Sequence, residues 1–344
     1  IETVQAAPSE PGLLGIQAPA VDCKQAYLVD LNTHTVLWAK DANIPVPPSS
    51  MTKIMSIYVI FDHLKKGRLK MDQMVEISPK AWKTEGSRMF VDVGTQVSVK
   101  DLIYGIIVQS GTETAFAEMM TAKARELGAT HSTFLNATGL PDPNHMATLS
   151  DLSLIAERTI TDFPDLYAIY GEKEFTYNNI TQPNRNPLLA NYGGCDGLKT
   201  GFTDAGGYGL VASANQNGRR LILVINGSSS MKTRAQDAQT LMTWGFKSYA
   251  SPVLIRKGQK LEEAPLWLGS QGTIPLEAGE TIALTVPRTQ LYDIKVNLSY
   301  DTPVAAPVQK GQKVGTITVT VPGQQPRSYP LVAGADAGKA NVFS

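Results

Sequence analysis

The sequence predicts a larger mixed α/β domain followed by a small all-β module. Three observations carry that reading. The chain has 344 residues, about two domains at roughly 150 residues each. Helical and strand patterns alternate as far as about Pro252, where the helical segments stop. Beyond it, short alternating segments are separated by Gly- and Pro-bearing turns.

Residues 1–20 (IETVQAAPSEPGLLGIQAPA) have no sustained periodicity and read as an irregular N-terminal arm. From Gln25, QAYLVDLNTHTVLWAKD reads as strand, turn, strand, with Asn32, Thr33 and His34 at the turn. Pro45, Pro47 and Pro48 end the extended structure, and residues 49–61 follow as an almost wholly apolar helix. A helix apolar on all sides is a buried one. Residues 100–127 read as helical, with Phe116, Met119, Met120 and Leu127 at helical spacing. Residues 150–160 open on a capping serine and repeat the pattern. From Cys195 the texture becomes strands: GLKTGFT, YGLVASA and RRLILVING, the last two joined by a hairpin signal at residues 215–218. Residues 231–246 are again helical, and TIALTV (281–286), DIKVNLSY (293–300) and TITVTV (316–321) are the strands read in the module. The expected division is an arm over 1–20, a mixed domain over 21–250, a β domain over 251–335 and a tail over 336–344.

Composition removes several function classes. Lys+Arg and Asp+Glu are equal at 31 each, so no bulk charge draws the chain to nucleic acid. No apolar run approaches the ~20 residues of a membrane-spanning helix. The histidines (His34, His63, His131, His145) stand far apart and Cys23 and Cys195 are the only cysteines, so neither a metal nor any other cofactor is expected.

Three short motifs carry chemistry. In Ser50-Met51-Thr52-Lys53 the prolines place Ser50 near a helix start, among free N–H groups. Lys53, three residues on, shares its face. A lysine desolvated in an apolar helix has a lowered pKa and can accept the serine proton; a capping serine with a surface lysine one turn on is the plainer alternative. Lys199-Thr200-Gly201 on a strand supplies a cation, a hydroxyl and a residue without a side chain where substrate must lie close. Ser110-Gly111-Thr112 stands between the other two.

Taken in order, SxxK, a serine motif and KTG match the signature of serine β-lactamases and penicillin-binding proteins. The blocks PPSSMTKIM, VDVGTQVSVKDLIYGIIVQSG, NATGLPDPNH, EKEFTYNNITQPNRN, CDGLKTGFTDAGGYGLVASA and TRAQDAQTLMTWGF resemble those of the D-alanyl-D-alanine carboxypeptidases. These are low-molecular-mass penicillin-binding proteins of the penicillin-binding protein 5 type. The resemblance runs from about residue 22 to the end. It implies a serine β-lactamase/transpeptidase-like α/β (α+β) catalytic domain, with an antiparallel sheet flanked by helices. It implies Ser50 as the acylated nucleophile, Lys53 as its base and Ser110 as a proton carrier to the leaving amine. Lys199, Thr200 and Gly201 would bind the substrate's carboxylate and edge, and the N–H groups of Ser50 and Phe202 would form the oxyanion hole. Arg234 and Arg185 match arginines near the carboxylate end, each with a structural ion pair as its alternative. The implied partners are peptidoglycan stem peptides and, as covalent inhibitors, β-lactam antibiotics. The implied place is the periplasm at the outer face of the inner membrane, reached after export (Ile1 is then a processed start) and held by a C-terminal anchor outside this sequence. By family strand order Cys23 and Cys195 should be far apart, so both thiols are expected free.

Two departures stand out. Phe202 occupies a position where the family often carries histidine. At the middle motif Thr112 replaces asparagine, and about three helical turns, ~12 residues, are absent between Gly111 and Thr112. Either that segment has been lost or residues are missing from the sequence there. The second is expected, and an intact mass above 37.1 kDa would show it. Alternatives to a carboxypeptidase are a β-lactamase, for which Glu174-x-x-x-Asn178 superficially fits a deacylating pattern, and a catalytically lapsed wall-binding protein.

Overall fold

The computed structural model describes residues 11–79, 91–108 and 114–340. The chain divides into two units, Ile1–Phe246 and Lys247–Ser344.

The first unit is built on a five-stranded antiparallel sheet. Its strands are β1 (Gln25–Asp30), β2 (Thr35–Lys40), β3 (Cys195–Thr203), β4 (Gly207–Gln216) and β5 (Arg219–Ser228). Their order is β2-β1-β5-β4-β3, so β1 pairs with β5 and joins the first hairpin to the last. That closure puts β3, the strand bearing Lys199 and Thr200, on an edge. RRLILVING is apolar almost throughout because β5 is buried from Leu221 to Ser228, covered on both faces.

The longer helices among the described residues are α1 (Lys53–Lys65), α2 (Val99–Val108), α3 (Thr114–Leu127), α4 (Leu149–Asp162) and α5 (Met231–Ser248). Ile54, Met55, Ile57 and Phe61 of α1 have no exposure at all. They share one core with Ile103 and Ile107 of α2, Met120 and Ala124 of α3, and Leu152 and Ile155 of α4. A central helix needs apolar side chains on all sides, which accounts for the composition of α1.

The helix read as starting at Ser49 begins instead with a 3-10 turn, Ser49–Thr52, and becomes α-helical at Lys53. Pro48 precedes the turn and Ser49 holds φ 52, a left-handed value no regular helix admits. Of the stretch read as helical over 100–127, the described residues form α2 and α3. Ser110 and the Gly111–Thr112 junction lie outside the described residues. In the N-terminal arm, Gly12 N–H donates to Ile16 O at 2.7 Å, and Trp244 Nε1 of α5 donates to Gln17 O at 3.1 Å.

The second unit carries a six-stranded sheet made of β6 (Lys260–Trp267), β7 (Thr273–Ala278), β8 (Lys295–Tyr300), β9 (Val304–Ala305), β10 (Lys313–Thr320) and β11 (Arg327–Ala333). Residues 295–300 of DIKVNLSY form β8, and residues 316–320 of TITVTV lie in β10. TIALTV is not one strand but two two-residue pieces, Ile282–Ala283 and Val286–Pro287. Strands β6, β7 and β11 escape a reading by pattern because each contains a proline (Pro265, Pro275, Pro330), a residue that argues against a strand from sequence alone. Residues 336–340, read as the start of a tail, are tied into this unit. Ala337 bridges Val308, Lys339 bridges Gly269, and Ala340 N–H donates to Leu268 O at 2.9 Å.

Candidate active site

The 3-10 turn presents Ser50 half-buried at the foot of α1. The loop of residues 136–140 packs against that turn. Asn136 Oδ1 accepts from the N–H groups of Thr138 (3.2 Å), Gly139 (2.7 Å) and Leu140 (3.0 Å), curling residues 136–140 tightly. Gly139 has φ +83, and a Cβ there would overlap the Ser49 carbonyl. Only glycine satisfies both the conformation and the approach. Ser56 Oγ of α1 donates to Ala137 O at 2.7 Å.

His145 closes the same loop onto the motif. The Leu135 N–H donates to His145 Nδ1 at 3.1 Å, so Nε2 carries the proton and donates to Thr52 Oγ1 at 2.8 Å. Burial lowers the imidazole to about 4, which keeps it neutral at ordinary pH. His145 is thereby a buried structural group behind the SxxK turn.

Lys53 is buried, and its Nζ donates to Ser50 Oγ at 2.6 Å. Desolvation, with the like charges of Lys199 and Arg185, holds it well below the ordinary lysine range. The spacing of three residues thus yields a short contact between a hydroxyl and an amine that readily loses its proton.

Strand β3 runs alongside the turn. A Cβ on Gly201 would come within 3.1 Å of Ser49 Cβ and 3.2 Å of Pro48 O, so the missing side chain lets the strand close on the serine turn. Across the ladder Gly201 faces Gly209 and Phe202 faces Tyr208. The start of β3 is held by Asp196, which accepts from Tyr167 OH at 2.8 Å and from both Arg220 Nη1 and Nη2 at 2.8 Å. Lys199 and Thr200 are buried. Burial, then Arg185 and Arg234, lowers the Lys199 ammonium to about 7.

Arg234 lies in the first turn of α5, buried. Arg185 is exposed, and its charge depresses Lys53, Lys199 and Arg234 alike. Ser50, Lys53, Lys199 and Gly201, with the arginine charges, therefore converge, Thr200 is buried beside them on β3, and Phe202 lies exposed at their margin. Ser110 falls outside the described residues. Sequence reasoning missed His145, Gly139 and Tyr208; NATGLPDPNH and GGYGL held them, but without a signal of what they touch. Both cysteines are free, and burial pushes the Cys23 thiol up to about 12 and Cys195 up to about 11.

Residues 14–230 match the D-alanyl-D-alanine carboxypeptidase family. The chain belongs to that family. Residues 249–339 match the penicillin-binding protein 5 C-terminal domain, so this serine-type carboxypeptidase carries the two-part architecture of the penicillin-binding protein 5 type. Among curated relatives, the carboxypeptidase DacC of Escherichia coli is 36% identical, covering 95% of this chain and 87% of the relative. DacA of Haemophilus influenzae is 33% identical, over 96% of this chain and 88% of that one. The crystal structure of penicillin binding protein 5 from Haemophilus influenzae superposes with a TM-score of 0.81 at 32% identity, covering 94% of this chain and 100% of that chain.

Proposed function

We propose that this member of the carboxypeptidase family removes the terminal D-alanine of peptidoglycan stem peptides through an acyl-Ser50 intermediate. The observation that carries the assignment is the 2.6 Å contact between Ser50 Oγ and a buried, cation-flanked Lys53. Once Lys53 has lost its proton, the same separation lets the amine take the hydroxyl proton as Oγ attacks the scissile carbonyl. The N–H groups of Ser50 and Phe202 receive the oxyanion, each such donor being worth about 3–4 kcal/mol in acyl transfer. The leaving D-alanine amine takes a proton, by way of Ser110, and water then releases the acyl group. Lys199, Thr200 and Arg234 hold the free carboxylate beside Gly201, with Arg185 adding to the attraction for an anion.

A β-lactam carries a strained amide next to a carboxylate and meets the same groups, so it is expected to acylate Ser50 and leave slowly. The β-lactamase reading loses its support in the fold. Glu174 is exposed on a hairpin of Glu174–Tyr177 with Ile180–Pro183. Asn178 and Asn179 form its turn at φ 47 and 60, so Glu-x-x-x-Asn reports a hairpin. The family's substrate implies a place in the cell envelope. Attachment to the inner membrane through a C-terminal segment is the finer proposal, testable by fractionating cells that express the protein from its own gene; no described helix is long and apolar enough to cross a membrane.

Intact-mass spectrometry with and without benzylpenicillin tests the assignment. One stable adduct is expected, absent from Ser50→Ala, together with D-alanine release that the substitution abolishes. Rapid antibiotic turnover would favour a β-lactamase, and no labelling a lapsed binding protein.

A further inference from the structure

Arg234 occupies a place that serves a cation poorly. It lies at the N-terminal, positive end of α5, whose first turn has no acidic residue. It is 6% exposed, and Arg185 adds like charge. Among the described residues no carboxylate lies within ion-pair distance of it, and its Nε has no hydrogen-bond partner. The group it does meet is an aromatic face: its guanidinium carbon sits 5.7 Å from the centre of the Tyr208 ring. Tyr208 packs in turn on Phe202, centres 4.3 Å apart and planes at 33°, as the two residues paired across β3 and β4.

We propose that Tyr208 is a positioning residue for substrate selection: its π face holds the Arg234 guanidinium at the carboxylate end of the site, with Phe202 as the outer layer of the stack. The consequence is a pocket set in advance for a free terminal carboxylate, at the expense of substrates with a neutral terminus. The proposal rests on the reading of Arg234 as a carboxylate-binding group. A ring quadrupole attracts a cation most when water is excluded, as it is around a buried guanidinium. A cation so placed keeps an N–H edge free for the incoming anion, whereas a protein carboxylate paired with it would occupy that edge.

The test is steady-state kinetics on an N-acylated D-alanyl-D-alanine dipeptide and on its C-terminal carboxamide. Tyr208→Phe keeps the face and is expected to stay within about threefold of the parent, while Tyr208→Leu lowers kcat/KM for the free acid about tenfold, mainly through KM. The same substitution leaves the carboxamide, and the Arg234→Ala background, with little further loss. Should Tyr208→Leu fail to fold, phenylalanine carrying one, two and three ring fluorines at position 208 withdraws the π charge without removing bulk. A stepwise fall in kcat/KM with fluorination supports the role. Fluorination without effect, or an equal loss on acid and carboxamide, overturns it. An Arg234→Ala enzyme with parental kinetics overturns the carboxylate reading and this proposal together; an impaired Arg234→Ala beside a parental Tyr208→Leu overturns this proposal alone.

Discussion

Lys199 has two demands on it that conflict. In the role proposed for it, its positive charge holds the substrate carboxylate, yet it is buried among other cations and titrates at about 7, against an ordinary 10.5. Two expectations follow. In the free enzyme kcat/KM should fall on the alkaline side from about pH 7, as Lys199 loses the charge that holds the carboxylate. It should fall on the acid side as Lys53 gains a proton and ceases to be a base. Replacing Arg185 by Ala takes one positive charge from the surroundings of both lysines, and both limbs should move to higher pH. The second expectation concerns stability. Between about pH 7 and 10.5 the unfolded chain binds a proton that the folded chain does not, so stability should rise with pH across that window. Lys199→Met removes the buried charge: it should raise Tm by roughly 5 °C or more while abolishing turnover, as scanning calorimetry beside D-alanine release will show.

At the scale of elements, the turn that carries Ser50 has the loop of residues 136–140 pressed against it. Gly139→Ala is the sharpest probe. The new methyl group would meet the Ser49 carbonyl in a left-handed backbone, so penicillin acylation should slow by about 100-fold or more, a displacement of the reacting groups being costly on that scale. His145→Ala should leave Thr52 Oγ1 and the Leu135 N–H unpaired and lower stability by about 1–3 kcal/mol in denaturant titrations. The contrast shows what the sequence makes legible. Lys53 could be placed against Ser50 because three residues on a helical turn fix the distance. The strand that carries Lys199 was readable from its texture, but its place at the edge of the sheet was not. His145 and Gly139 act at contacts 93 and 90 residues from their partners in the chain, and no local period reports such a contact. Tyr208 looked like an ordinary strand residue until the register set it beside Phe202. Prolines hid three strands of the β unit for a simpler reason: they break the rule by which strands are recognised.

On the scale of the whole molecule, each unit has a core of its own. Ile274, Leu276, Ile317 and Leu331 are fully buried in a cluster drawn from residues 255–337. A chain ending at Ser251 should therefore still form the penicillin adduct at Ser50, and residues 247–344 expressed alone should show dispersed amide resonances in nuclear magnetic resonance. The chain as a whole is electrically neutral, whereas its candidate site gathers Lys53, Lys199, Arg185 and Arg234. Such a molecule draws anionic substrate only over short range, since there is no net field to steer it and the Debye length is about 8 Å at physiological salt. Small oxyanions of the medium feel the same short-range attraction. Phosphate or sulfate buffers should compete with the stem peptide for Lys199 and Arg234, so that KM depends on the choice of buffer ion at constant ionic strength while kcat does not.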